Sequence, residues 1–341
     1  MADCLQRLLR PLSLLLGLLF VAGSAQADMD DPGWRDFLAR FVVDGRVIDT
    51  ANRSISHTEG QGWSMLLAVH HGDRQAFDQL WRWTEDHLAR GDVALYSWRF
   101  DPTTTPSVSD PNNASDGDLM IAWALDRAAQ RWGGKAYAVR SAEVRSAIGA
   151  NLVREVAGSK VLLPAMDGFE HPDGLVINLS YWVIPAFKRF AELEPQGPWL
   201  ALVESGGKLL ARAQFGAQKL PADWLRLDPR GELSPAEGWP PRFGFENIRV
   251  PLYFSWGNQR GIGTLENIAV FWSRQALPPA WVDVTSGETA PYPLSEGGRA
   301  IKALLIGDPD GVPQVAGQDE NYYSAILLQL VRVALHDLGV S

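Results

Sequence analysis

The chain has 341 residues, 46% of them hydrophobic and 21% charged, so it is long and apolar enough to bury one large core and does not belong with disordered chains. Asp and Glu outnumber Lys and Arg by 40 to 31, for a net charge of −9, which excludes a role built on gripping nucleic-acid phosphates. The one cysteine, Cys4, excludes a disulfide scaffold, and 14 Trp exceed what packing asks for and point to a cleft with flat indole faces.

The first segment reads as an export signal. Arg7 and Arg10 precede an apolar run from Leu12 to Ala22, and Ala25-Gln26-Ala27 has the small-x-small form of a cleavage site. The run is short for a membrane anchor, because a spanning helix needs about 20 apolar residues. The expectation is a signal over 1–27, a single domain over 28–341, no membrane span after cleavage, and a periplasmic or secreted location.

Helical periodicity then recurs to the C-terminus. Asp31-Pro32 reads as an N-cap with Pro at the first helical position, and Trp34, Phe37, Leu38, Phe41 and Val42 follow at helical spacing. Helices are predicted over Gln61–His71, a stretch after Asp73 that stops at Gly91, Leu119–Trp132, Ala136–Val156, Ser180–Leu193 and Pro198–Phe215. Asn247–Trp256, Thr264–Gln275, Leu294–Leu305 and Asn321–Leu338 bring the count to about eleven. Strand-like alternation is confined to Val93–Phe100, Lys160–Leu163 and Val176–Leu179. The pattern predicts an all-α closed or solenoidal arrangement, with the long loops Asp101–Asp118, Leu163–Gly174 and Pro221–Gly244 gathered on one rim around a cleft.

No HExxH, paired CxxC, GxxxxGK[ST] or GxGxxG is present, and the six His lack metal-ligand spacing. What remains are carboxylates in Gly-, Asn- and aromatic-rich segments. Glu59 lies in Ser56-His57-Thr58-Glu59-Gly60-Gln61-Gly62-Trp63, where Ser56 and Glu59 also have capping-box spacing. Gly60 and Gly62 would allow a ligand close to the backbone, and Trp63 offers a stacking face. Asp116 and Asp118 open a helix, where one acid serves as a cap and the second is surplus. Glu246 precedes Arg249 by three residues, a spacing that also suits a helical ion pair. Two or more carboxylates facing one cleft suit glycoside hydrolysis: a protonated one donates to the leaving oxygen, and an ionised one activates water or attacks the sugar. Burial would raise the first, and a cation such as Arg249 would hold the second down.

Four segments carry a resemblance: His57–Trp63, Ala114–Leu125 (Ala-Ser-Asp-Gly-Asp onward), Asn178–Tyr181 and Arg249–Tyr253. Together they resemble glycoside hydrolase family 8, and within it the periplasmic endoglucanases encoded with bacterial cellulose synthase. The resemblance implies an (α/α)6 barrel without cofactor or metal, hydrolysing internal β-1,4-glucosidic bonds of cellulose with inversion during cellulose synthesis. It implies Glu59 as general acid, Asp116 as the residue that orients the reacting sugar, and Glu246 as base, where family cellulases usually carry Asp after Tyr. Trp63, Asp118, Trp123, Tyr181 and Arg249 are implied to contact the glucan. Partners implied are the β-1,4-glucan chain and the cellulose synthase or export complex. The family also acts on chitosan and xylan, and a periplasmic glucan-holding subunit with weak turnover is the reading from outside enzymology.

Overall fold

The computed structural model describes residues 30–340, so the leader read over 1–27 lies outside it. Among the described residues are eleven α-helices: α1 (Pro32–Phe41), α2 (Thr58–His70), α3 (Arg74–Leu88), α4 (Ser115–Trp132), α5 (Lys135–Asn151), α6 (Ile184–Leu193), α7 (Trp199–Arg212), α8 (Arg249–Trp256), α9 (Gly263–Ser273), α10 (Glu296–Ile306) and α11 (Tyr322–Asp337). Helices α2, α4, α6, α8, α10 and α11 pack each on the next and close into a ring, α11 returning to α2. The other five lie outside against this ring, and a short 3-10 turn, Pro309–Gly311, stands on the link between α10 and α11. This is the architecture of an (α/α)6 barrel. Sequence explains the division. The walls α2, α4, α8 and α11 bury residues all round, while α1 and α3 bury one stripe each, Trp34, Phe37 and Phe41 in α1.

Local chemistry sets several ends as the spacing predicts. Asp31 accepts from the Trp34 amide at 3.0 Å, Asp73 from Ala76 at 2.9 Å, and Asn321 from Ser324 at 3.0 Å. Two predicted helices are shorter than their periodicity. Residues 136–156 break at Asn151, and Val153–Val156 pairs with Ser159–Leu162 through Ala157 (φ 47°) and Gly158 (φ 74°), the two positive angles a tight hairpin turn demands. Residues 180–193 break because Pro185 cannot tolerate a helical carbonyl four residues back, at Tyr181. The chain there forms a 3-10 turn, Leu179–Tyr181, capped by Asn178.

The loops hold more strand than expected. Leu225–Leu227 and Leu233–Pro235, both inside the predicted loop 221–244, join Gly174–Ile177 and Glu170–His171 in a four-stranded antiparallel sheet. Of Val93–Phe100, Arg99–Phe100 pairs with Ser56–His57, immediately before α2, and Tyr96 forms a single bridge to Ala89. The tryptophan reading needs correction: nine of the 14, among them Trp34, Trp63, Trp182 and Trp199, are buried in the protein interior, so the excess serves packing as well as any cleft. No described helix is long and apolar enough to cross a membrane.

Candidate active site

Helices α2, α4 and α8 start close together, and their first turns carry the chemistry. A Cβ on Gly117 would overlap Thr58 Oγ1 and lie 2.9 Å from the Glu59 amide, so only glycine lets α4 begin this close to α2. That contact places Glu59 and Asp116, each the second residue of its helix, side by side. Arg249, the first residue of α8 and 2% exposed, reaches both. Its Nη1 contacts Glu59 Oε1 and lies 3.5 Å from Asp116 Oδ2, while its Nη2 donates to Glu246 Oε2 at 2.5 Å and to Ser180 Oγ at 3.0 Å. The guanidinium carbon sits over Trp63 and Tyr181, at 5.5 and 5.8 Å from the ring centroids. Three acids far apart in sequence thus meet on one buried cation.

One positive charge against three carboxylates leaves negative charge uncompensated in a poorly solvated place, so the cluster retains protons near neutral pH. Burial pushes Asp116 up to about 7, against the pull of the Gly117 amide and His57. Glu246 rises to about 8, from burial first, then from the charges of Asp223 and Asp116. Asn178 and Ser180, at 3.2 and 3.4 Å, and the Arg249 guanidinium work against that rise. The expectation that Arg249 holds the base low is therefore corrected: Arg249 is shared among three acids, and Glu246 feels two neighbouring anions.

Other expectations change in detail. The capping box does not form, because Ser56 Oγ turns away to the Val47 carbonyl at 2.5 Å and α2 has no side-chain cap. Asp116 and Asp118 lie inside the first turn rather than at the cap, which is Ala114. Gly60 and Gly62 make room for protein, not ligand: a Cβ on Gly60 would overlap Tyr322 Oη, and one on Gly62 would lie 2.7 Å from Met120 Cβ. Asp118 is fully buried and accepts from the Tyr96 amide (3.0 Å) and Asn113 Nδ2 (2.8 Å), so it braces the 96–113 loop instead of facing the cleft. Trp63 is also fully buried and donates to Tyr253 Oη at 2.9 Å, a floor under Arg249 rather than a stacking face. Trp123 packs on Trp256 with ring centroids 5.0 Å apart and is 5% exposed, so it belongs to the core. Tyr181 remains partly open beside Arg249.

Residues that the sequence reading left without a role also enter. Trp224 stacks between Phe169 (5.6 Å) and Trp239 (5.4 Å) and meets Tyr181 edge-on at 6.1 Å, a half-buried aromatic row leading away from Arg249. Tyr323 donates to the Phe245 carbonyl at 2.5 Å, next to Glu246. Asp223 lies against the same turn. The signal for these was the loops' composition alone, since their partners lie 15 or more residues away, beyond the reach of helix or strand periodicity. At the other ends of α2 and α11, His70, His336 and Asp337 come within 4.8 Å, a grouping that the spacing of the six His does not reveal. The Asp337 carboxylate there is held by Arg127 at 2.8 Å and Trp256 at 3.1 Å.

The sequence profile of Glycosyl hydrolases family 8 matches residues 12–336. The chain is 41% identical over 278 residues to an endoglucanase of Cellulomonas uda (81% of this chain, 77% of that one), and 38% identical over 307 residues to a probable endoglucanase of Novacetimonas hansenii (88% and 89%). It superposes with a TM-score of 0.86 and 41% identity on the crystal structure of endoglucanase Cel10, a family 8 glycosyl hydrolase from Klebsiella pneumoniae, covering 90% of this chain and 100% of that one. With that match running through the very segments that supply Glu59, Asp116 and Arg249, the chain belongs to glycoside hydrolase family 8.

Proposed function

We propose that the protein is an inverting endo-β-1,4-glucanase acting on cellulose-type chains, with Glu59 as proton donor, Glu246 as base and Asp116 as the group that holds the reacting sugar. The observation that carries this is the convergence of these three acids on Arg249, beside an aromatic row suited to successive glucose rings. The reaction follows from the geometry. Glu59, on Nη1, gives its proton to the glycosidic oxygen; Glu246, on Nη2, takes a proton from water; the water oxygen bonds to the anomeric carbon as the C–O bond to the leaving sugar breaks. Asp116, nearly fully buried between the two, has its Oδ1 fixed by the Gly117 amide at 2.8 Å and its other oxygen turned towards Arg249, where a ring hydroxyl can take its place. In the deprotonated form that the reaction needs, Glu246 and Asp116 place negative charge beside the positive, oxocarbenium-like transition state and favour it. An exported protein working with the cellulose synthase or export complex fits the leader at 1–27 and is part of the same proposal.

The test is release of reducing ends from carboxymethylcellulose, xylan and chitosan side by side, with NMR of the first product. Cellulose preference and an α-anomer support the reading. A β-anomer overturns inversion, and equal release by wild type and Glu59→Gln overturns enzymatic turnover at this site, leaving a glucan-holding protein.

A further inference from the structure

Asp223 lies in the 221–244 loop, outside every segment that carries the chemistry above. Its own amide donates to the Arg242 carbonyl at 2.6 Å, which fixes it beside the turn Phe243–Asn247. Its Oδ1 accepts from the Gly244 amide at 3.0 Å and from the Asn247 amide at 2.9 Å, and the Glu246 amide donates to the same carboxylate. Three amides of one short turn therefore close on one side chain, and that turn presents Glu246. From the other side Tyr323 secures the Phe245 carbonyl. Such a clamp matters because a base displaced by about 1 Å loses much of its advantage in activating a water.

We propose that Asp223 is a positioning residue for Glu246: it locks the turn that carries the base and sets a second negative charge beside the base's carboxylate. This rests on the glucanase reading of the site. The groups facing Glu246 are Arg249 and Ser180 from below, Asn178 at its Oε2, Asp116 from α4, Tyr323 from α11 and Asp223 from the loop. Among them Asp223 is the largest charge contribution after burial, and it acts to raise Glu246; burial holds Asp223 itself up at about 7, against the pull of the three amides and of Arg242, so its charge is present where Glu246 titrates, at about 8. A base raised in this way takes a proton from water more readily, and the acidic side of the activity profile moves to higher pH.

The test compares wild type, Asp223→Asn and Gly244→Ala on carboxymethylcellulose and on a soluble cello-oligosaccharide, as kcat and KM against pH. Asparagine keeps the acceptor oxygen and removes the charge. The expected result is an acidic limb displaced to lower pH by about 1–2 units, with KM unchanged, since a like charge at close range moves a carboxyl by that much. Gly244→Ala keeps the charge but puts a Cβ 3.1 Å from Asp223 Oδ2 and 3.1 Å from Trp281 Cβ, so it should lower kcat, roughly tenfold, without moving the limb. An Asp223→Asn profile that superimposes on wild type, or a Gly244→Ala kcat equal to wild type, overturns the proposal. Inactive wild type instead overturns the glucanase reading, so the two failures are distinct.

Discussion

Replacing Arg249 by Met keeps an unbranched, largely apolar side chain but deletes the one cation shared by Glu59, Asp116 and Glu246, and with it the guanidinium that lies over Trp63 and Tyr181. Removing one partner of a buried ion pair costs about 3–5 kcal/mol, because the remaining charge stays buried without compensation. For about 310 ordered residues the unfolding entropy is about 0.65 kcal/mol per degree, so Tm should fall by about 5–8 °C. The effect must depend on pH. Asp116 and Glu246 are raised to about 7 and about 8 in the folded protein, above their ordinary values of 3.8 and 4.5. The stability they give is fully present below those ordinary values and lost as pH rises through about 7 and 8. Without Arg249 both go higher still, so the loss becomes steeper. The expected outcome is a Tm difference of several degrees at pH 8 that shrinks to about 1–2 °C at pH 4, where the acids are protonated. Differential scanning calorimetry of both proteins at the two pH values decides it. A difference that is the same at pH 4 and pH 8 would refute the shared-cation argument, even if activity were lost.

Other consequences follow from the same geometry. Glu59→Gln should lower kcat on carboxymethylcellulose by about 10²–10⁴-fold and recover much of it on an aryl cellobioside with an acidic leaving group, which needs no proton; Glu246→Gln should fail on both, as progress curves would show. Asp116→Asn removes a buried acid raised to about 7, so it should raise Tm at pH 8 by more than at pH 5 while abolishing turnover, a trade visible by running both assays on one preparation. Gly117→Ala must push α4 from α2, because its Cβ would overlap Thr58 Oγ1; a stability loss of about 1–3 kcal/mol and a fall in kcat are expected in chemical denaturation and initial rates. Trp123→Phe, a core change at 5% exposure, should lower Tm and leave KM for glucan unchanged, which steady-state kinetics checks.

What the chain alone determined was periodic and local. Apolar residues at helical spacing marked eleven helices, and Asp31, Asp73 and Asn321 marked where three begin, because caps act over three residues. The family motifs named Glu59, Asp116 and Glu246. The tertiary structure decided what spacing cannot carry. The resemblance implied that Trp63, Trp123 and Asp118 contact the glucan, yet ring closure turns them inward, to Tyr253, Trp256 and the Tyr96 amide. Gly60 and Gly62 looked like room for a ligand, and only the helix crossings show that other protein atoms fill it, as they do at Gly117. Asp223, Tyr323 and Trp224 carry no motif that the reading could use, since their partners lie 15 to 78 residues away in the chain. The charge state of the base was also beyond reach, because electrostatic coupling falls with distance in space and is blind to distance along the chain.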